Sequence, residues 1–385
     1  MVSAAKFLPF DLARNRVAYA LSNKREDDGM SEGSLAFNPD FDPDGNEGGV
    51  DTNLLPWLPL SGVTAFSIKP LRASMESGMF SIIIRLEQGA SLERLLCLSG
   101  MDLLVLSGAL TYSDSTGETK LEPGVWGYLA ANTCMEHLQA TEDAELLVNC
   151  YGAFALLTAD NQVQRLVTSA DIRQVALQAG IAMVPNTLAE CMAPRKSYEG
   201  EGTPLAIAGA NSGHLINGVM DATSGDFQHP YFVDCRSVPW VVNPDLPDIG
   251  LKVLRVSQET GFISVMVRHN GVAAPHNHLG GADFLVLQGA LGVRAGPPEG
   301  YGPGTWFYEP AGARHDATQR VSDEDLIYTA NIYGPLTFDS GVGTPIVAVV
   351  SWVEYVALAE AGGAKLVPNT FSNDASLLAW APVGS

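Results

Sequence analysis

The feature that most constrains the fold of this chain is an internal repeat. Pro56-Trp57 returns 183 residues later as Pro239-Trp240. Leu71-Arg72, Gly78 and Arg85 return at the same spacing as Leu254-Arg255, Gly261 and Arg268. The run GMDLLVLSGAL at 100–110 returns as GADFLVLQGAL at 281–291, aligning Asp102 with Asp283. Pro123-Gly124-Val125-Trp126 matches Pro303-Gly304-Thr305-Trp306, and Val184-Pro185-Asn186-Thr187 matches Val367-Pro368-Asn369-Thr370 near the end of each unit. A collinear series with small gaps marks a duplication, and a chain of 385 residues that is 46% apolar can fill two cores of ordinary size.

Each unit is a succession of short β-branched and aromatic runs cut by Gly and Pro: 80–86, 103–106, 125–129 and 145–149 in the first, 262–268, 284–287, 305–309 and 326–332 in the second. Charged residues make up only 17% of the chain, while 39 Gly and 23 Pro supply turns. The fold class expected is all-β, two tandem jelly-roll barrels with short flanking helices at 169–180 and 351–362. The division expected is an N-terminal arm at 1–50, a first barrel at 51–198, a linker at 199–230, and a second barrel with a C-terminal extension at 231–385.

Composition excludes some functions. The net charge of −21 opposes a nucleic-acid backbone and an anionic membrane surface, and no apolar stretch is long enough to span a bilayer. Pro9 and Asp11 interrupt the N-terminal apolar residues before a signal segment can form, so a cytoplasmic protein is expected. Cys97, Cys134, Cys150, Cys191 and Cys235 are odd in number, with no C-x-x-C pair, which indicates neither a disulfide framework nor a thiolate zinc site.

The chemistry concentrates in the second unit. His276 and His278 lie two apart on a strand, so their imidazoles point to one side and can converge on one ion. Downstream, the block from Gly304 through Pro310 and Gly312 ends on His315. Together these blocks resemble the two signature motifs of the cupin superfamily, H-x-H-x(3,4)-E-x(6)-G and G-x(5)-P-x-G-x(2)-H. The resemblance implies a metal held by His276, His278 and His315. Asp283 stands where the family has a ligating Glu; it either reaches the ion, acts through water, or stays out of the site. Glu299 and Glu309 are weaker substitutes. In the first unit the histidine positions read Leu95, Cys97 and Met135, so no metal is expected there, although Asp102 is retained. His137, His214, His229 and His269 fit no ligand pattern and are assigned structural roles.

The flanks resemble a narrower group, cupin enzymes of the dihydroxyacetophenone dioxygenase type. The pieces are Val238-Pro239-Trp240, Trp306 to Gly312, and Thr329 to Leu336. The zinc-binding cupin domain of anti-sigma factors shares the Gly280-Gly281-x-acid turn. The first resemblance implies a non-haem Fe(II) dioxygenase that uses O₂ to cleave a C–C bond in a small hydroxy-ketone or β-diketone; Zn(II), Mn(II) and Ni(II) also suit the donors. Trp306, Tyr308, Glu309, Arg294 and Tyr328 are candidate substrate-pocket residues, with Trp306 and Tyr308 on one strand face that either lines the pocket or packs between sheets. The rivals are a non-enzymatic metal-binding regulatory cupin and an O₂-independent isomerase or lyase. The first barrel is expected to act as a scaffold or to build a homodimer surface, with a ligand role for its apolar cavity left open.

Overall fold

The computed structural model describes residues 49–187 and 229–380 apart from 245, 294–296, 316, 340–343 and 372; of His315 it describes the backbone alone. The fold is all-β, two barrels built from antiparallel strands. The two expected helices are present at Ser169–Gln178 and Trp352–Ala361, each begun by a capping box, Thr168 with Asp171 and Ser351 with Glu354. Among the described residues no helix is long and apolar enough to cross a membrane.

The large sheet of the first barrel runs, in spatial order, Val125–Leu129, Met101–Ser107, Ala144–Cys150, Phe80–Leu86 and Ser67–Ala73. Its counterpart in the second barrel runs Thr305–Glu309, Ala282–Gln288, Ile327–Ile332, Ile263–His269 and Ile249–Ser257. These strands read as almost unbroken apolar runs because both faces are buried. In Met101–Ser107, Leu103 and Val105 enter the core of their own barrel, whereas Leu104 and Leu106 face the other barrel. In the second barrel Phe284, Val286 and Phe307 point inward, while Leu285, Leu287, Trp306 and Tyr308 point outward into the same inter-barrel cluster as Leu104 and Trp126. The two large sheets therefore lie back to back.

The ends of the expected arms are exchanged between the barrels. Val50–Asp51, which precedes the first barrel, pairs with Trp306 and Thr305 at the edge of the second. Phe232–Asp234, which precedes the second, pairs with Gly127 to Val125 of the first. Buried lysines at equivalent repeat positions fasten both: Lys69 Nζ donates to the Thr52 carbonyl and Lys252 Nζ to that of Cys235, each at 2.8 Å. Each ammonium also lies over a repeated tryptophan, Lys69 over Trp57 at 4.4 Å and Lys252 over Trp240 at 4.8 Å. Neither barrel is thus completed by its own segment alone.

The inter-barrel face also encloses a doubled polar network. Asp102 accepts from the Asn149 amide at 2.9 Å and from the Tyr151 hydroxyl; Asp283 accepts from the Tyr333 hydroxyl. Asn331 Nδ2 bridges them, 3.3 Å from Asp102 and 3.5 Å from Asp283. Arg72 stacks on Tyr308 at 3.7 Å and Arg255 on Tyr128 at 3.9 Å. Burial drives both carboxyls up: Asp102 rises, and Asp283 moves from 3.8 to about 7, where the Tyr333 hydrogen bond opposes burial and the charge of Asp102 adds to it.

Because folding raises the pKa of Asp283, the native state holds its proton more tightly. Its contribution to stability is complete below about pH 4 and is lost as the pH climbs to about 7. Asp283→Asn keeps the shape and cannot ionise, so it should flatten the fall in melting temperature between about pH 5 and 8, by the equivalent of roughly 1 kcal/mol or more. Thermal melts across that range test this; an unaltered slope would contradict it.

Candidate metal centre

His276–His278 is a short strand of the second barrel, paired on one side with Arg314–His315 and on the other with Leu336–Phe338. The alternation of a strand puts His276 and His278 on one face, and both are buried, their ring centroids 5.0 Å apart. His276 Nδ1 lies 2.8 Å from the Ala274 carbonyl. A carbonyl can only accept, so Nδ1 carries the hydrogen and, in the neutral ring, Nε2 carries the lone pair; such a backbone bond is how metal-ligating histidines are commonly held. The turn before the strand Ala282–Gln288 requires glycine, since a Cβ at Gly280 would lie 2.4 Å from the Tyr333 carbonyl oxygen.

The acid beside these histidines is Glu309. Its Oε2 lies 2.7 Å from His278 Nε2, and both side chains are buried. Glu309 is opposite Ala282 in the ladder, and Asp283 is opposite Tyr308. Opposed residues share a face, so Glu309 turns into the barrel and Asp283 turns out of it. Asp283 accordingly does not join the histidines: its carboxylate is taken up by Tyr333 and Asn331 between the barrels. The small side chain of Ala282 lies beside Glu309 on the inner face.

His315 has its backbone directly opposite His276; its side chain lies outside the described residues. Among the described residues no group of three or more His, Cys, Asp or Glu side chains could hold a metal. The described part does fit as a portion of such a site. Two donors each ~2.1 Å from one ion and at right angles are about 3 Å apart, close to the His278–Glu309 separation. Imidazole nitrogens with one carboxylate are also a donor set that first-row divalent metals accept.

The remaining candidates divide. Trp306 and Tyr308 pack between the barrels, their rings 6.5 Å apart and stacked, and so do not line the interior; this settles the alternative left by the sequence. Tyr328 faces inward, with its ring 5.4 Å from Phe284 and its hydroxyl 3.2 Å from His269 Nδ1. Burial pushes the Tyr328 hydroxyl well above its ordinary value, and the charges of Tyr355 and Glu309 push in the same direction. Glu299 is exposed, and Arg294 lies outside the described residues. His229 is buried against Tyr112 and Phe232 with Asp114 at 3.3 Å, and half-exposed His137 faces Glu93. His214 and Cys191 lie outside the described residues.

In the first barrel, Met135 pairs with Leu95 just as His315 pairs with His276. Leu129, opposite Met101, takes the place of Glu309 opposite Ala282. Leu95, Cys97, Leu129 and Met135 are all buried in an apolar core. Burial holds the Cys97 thiol far above its ordinary range, so it is neutral and a poor ligand.

With this architecture in view, the chain is a two-barrel cupin-like protein. A family model described as the ChrR Cupin-like domain matches residues 46–155 and 211–334, more than half of the chain. The chain therefore belongs to the ChrR cupin-like domain family. No curated protein matches it significantly. Similar solved structures include a candidate dioxygenase from Nostoc punctiforme PCC 73102, at 13% identity and a TM-score of 0.44 over 82% of this chain and 88% of that one. They also include a mutant of the Bacillus subtilis oxalate decarboxylase, at 14% identity and 0.42 over 93% and 89%. A protein of unknown function with a cupin-like fold from Ralstonia eutropha JMP134 matches at 19% identity and 0.31, over 35% of this chain and 92% of that one.

The thiol chemistry gives a direct check on the first barrel. Cys97, Cys150 and Cys235 are buried, with Cys235 pushed up to about 12, while Cys134 is partly exposed. Iodoacetamide at about pH 8 should label Cys134 and spare Cys97, Cys150 and Cys235 until the protein unfolds. Fast labelling of Cys97 in the native protein would show a reactive site where an inert core is described.

Proposed function

We propose that the second barrel binds one divalent metal through His276, His278, His315 and Glu309, and that the chain is an oxygen-dependent enzyme cleaving a C–C bond in a small hydroxy-ketone or β-diketone. The observation that carries this reading is the inward pairing of Glu309 with His278 beside His276, at the positions where the first barrel has only apolar residues and Cys97. Iron(II) bound there would supply Lewis acidity toward a ketone or enol oxygen together with redox access to O₂. His276 is pre-oriented by the Ala274 carbonyl, which lowers the cost of ordering the donors. Glu309 contributes one negative charge toward balancing a dication. Phe284 and Phe307, stacked at 4.4 Å on the inner face, would give a ligand bound there an apolar wall that limits its contact with water.

A second reading, a non-enzymatic regulatory metal-binding cupin, is supported by the Gly280-Gly281-x-acid turn, which resembles that of the zinc-binding cupin domain of anti-sigma factors. An O₂ electrode separates the two. Protein purified without added metal is analysed for metal, then loaded with Fe(II) and offered a panel of hydroxy-ketones and β-diketones. The enzyme reading expects one metal per chain and substrate-dependent O₂ uptake; full metal occupancy with no uptake on any substrate favours the regulatory reading.

Variants test the ligand set. His276→Ala, His278→Ala and Glu309→Gln should each weaken metal binding by about 10- to 100-fold or more, and Asp283→Asn should leave it within about two-fold. A loss in Asp283→Asn equal to that in His276→Ala would refute the assignment of Glu309 in its place.

A further inference from the structure

The duplicated fold supplies its own control for what the second barrel interior contains beyond the metal donors. His269 and Tyr328 are inward-facing and bonded to each other at 3.2 Å. Their repeat equivalents in the first barrel are Leu86 and Leu146, both buried in its core. The ladders confirm the equivalence: Leu146 pairs with Ile84 as Tyr328 pairs with Val267. The barrel therefore closes equally well with two leucines at these places. A part-buried hydroxyl bonded to a buried imidazole carries a desolvation cost that leucines avoid, and its net hydrogen-bond gain is small. The pair occurs only in the barrel that also carries the histidine and Glu309 cluster, which ties it to whatever that barrel holds rather than to folding.

We propose that Tyr328, positioned by His269, is a ligand-binding residue of the second barrel, its hydroxyl donating a hydrogen bond to an oxygen of a small enolisable ketone. The tautomer of His269 that carries hydrogen on Nδ1 donates to the Tyr328 oxygen, and this leaves the phenolic proton for the ligand. Tyr328 is suited to the role by place as well as by chemistry. Its ring adjoins Phe284, which stacks on Phe307, the residue two before Glu309 on the same strand. His269 is a positioning residue that acts through Tyr328. The inference rests on the metal site proposed above and assigns the second contact that a chelated ketone would make.

The test uses the full chain loaded anaerobically with Fe(II), with metal content measured for every variant and acetylacetone as the probe, its affinity read by calorimetry without turnover. Tyr328→Phe should keep its metal and its melting temperature within a few degrees and bind acetylacetone about 5- to 30-fold more weakly. His269→Leu, which installs the residue of the first barrel, should weaken binding similarly, and His269→Gln, whose amide can still donate to the tyrosine, should restore part of it. The double variant should be no worse than Tyr328→Phe alone, because the two act as one unit. Metal-loaded Tyr328→Phe that binds acetylacetone as the wild type does, or metal-loaded wild type that does not bind it, overturns the inference. Wild-type protein that takes up no metal shows instead, through the metal content, that the underlying site reading has failed, and the inference falls with it.

Discussion

The structure depends on two large sheets packed back to back. Each sheet buries one face inside its own barrel and the other against its counterpart, through Leu104, Leu106 and Trp126 on one side and Leu285, Leu287 and Trp306 on the other. Burying one such side chain contributes about 1.5–3 kcal/mol, against about 0.5–1.5 for a typical net hydrogen bond. The apolar layer therefore supplies most of the association, and the Asp102, Asp283, Asn331 and arginine network within it fixes how the sheets are aligned. The exchanged strands and their lysine clasps add a second tie, since each barrel takes an edge strand from the segment that precedes the other.

This packing decides which acid faces the buried histidines of the second barrel. A strand shifted by one residue turns every side chain to the opposite face. With Leu285 and Leu287 outward, Asp283 must be outward too, and Ala282 inward. The carboxylate near the histidines then comes from the neighbouring strand, as Glu309. Asp102 and Asp283 match in sequence because both serve the interface, which both repeats share, and not the inward face that carries His276, His278 and Glu309 in the second barrel alone.

Much of this was legible in the sequence. The repeat pointed to two barrels, the runs to the strands, the Ala- and Leu-rich stretches 169–180 and 351–362 to the helices, and Leu95, Cys97 and Met135 to a barrel without histidines. What could not be read was the facing of Asp283, Trp306 and Tyr308. When both faces of a strand are buried, the alternation that would show its orientation disappears. Strand exchange was likewise unreadable, because Val50 and Val233 look the same whichever barrel they pair with. His269 was passed over as structural, yet the signal was present: its repeat partner is Leu86, and a residue that departs from its own repeat toward polarity inside a core calls for an explanation.

The central claim, one metal centre inside the second barrel with Glu309 rather than Asp283 as its acid, is tested most directly by anomalous diffraction at the metal absorption edge from crystals of the metal-loaded protein. The account predicts one peak per chain, within ligand distance of His276, His278 and Glu309 and none beside Cys97. A peak at the carboxylates of Asp283 and Asp102, or a second peak in the first barrel, would contradict it.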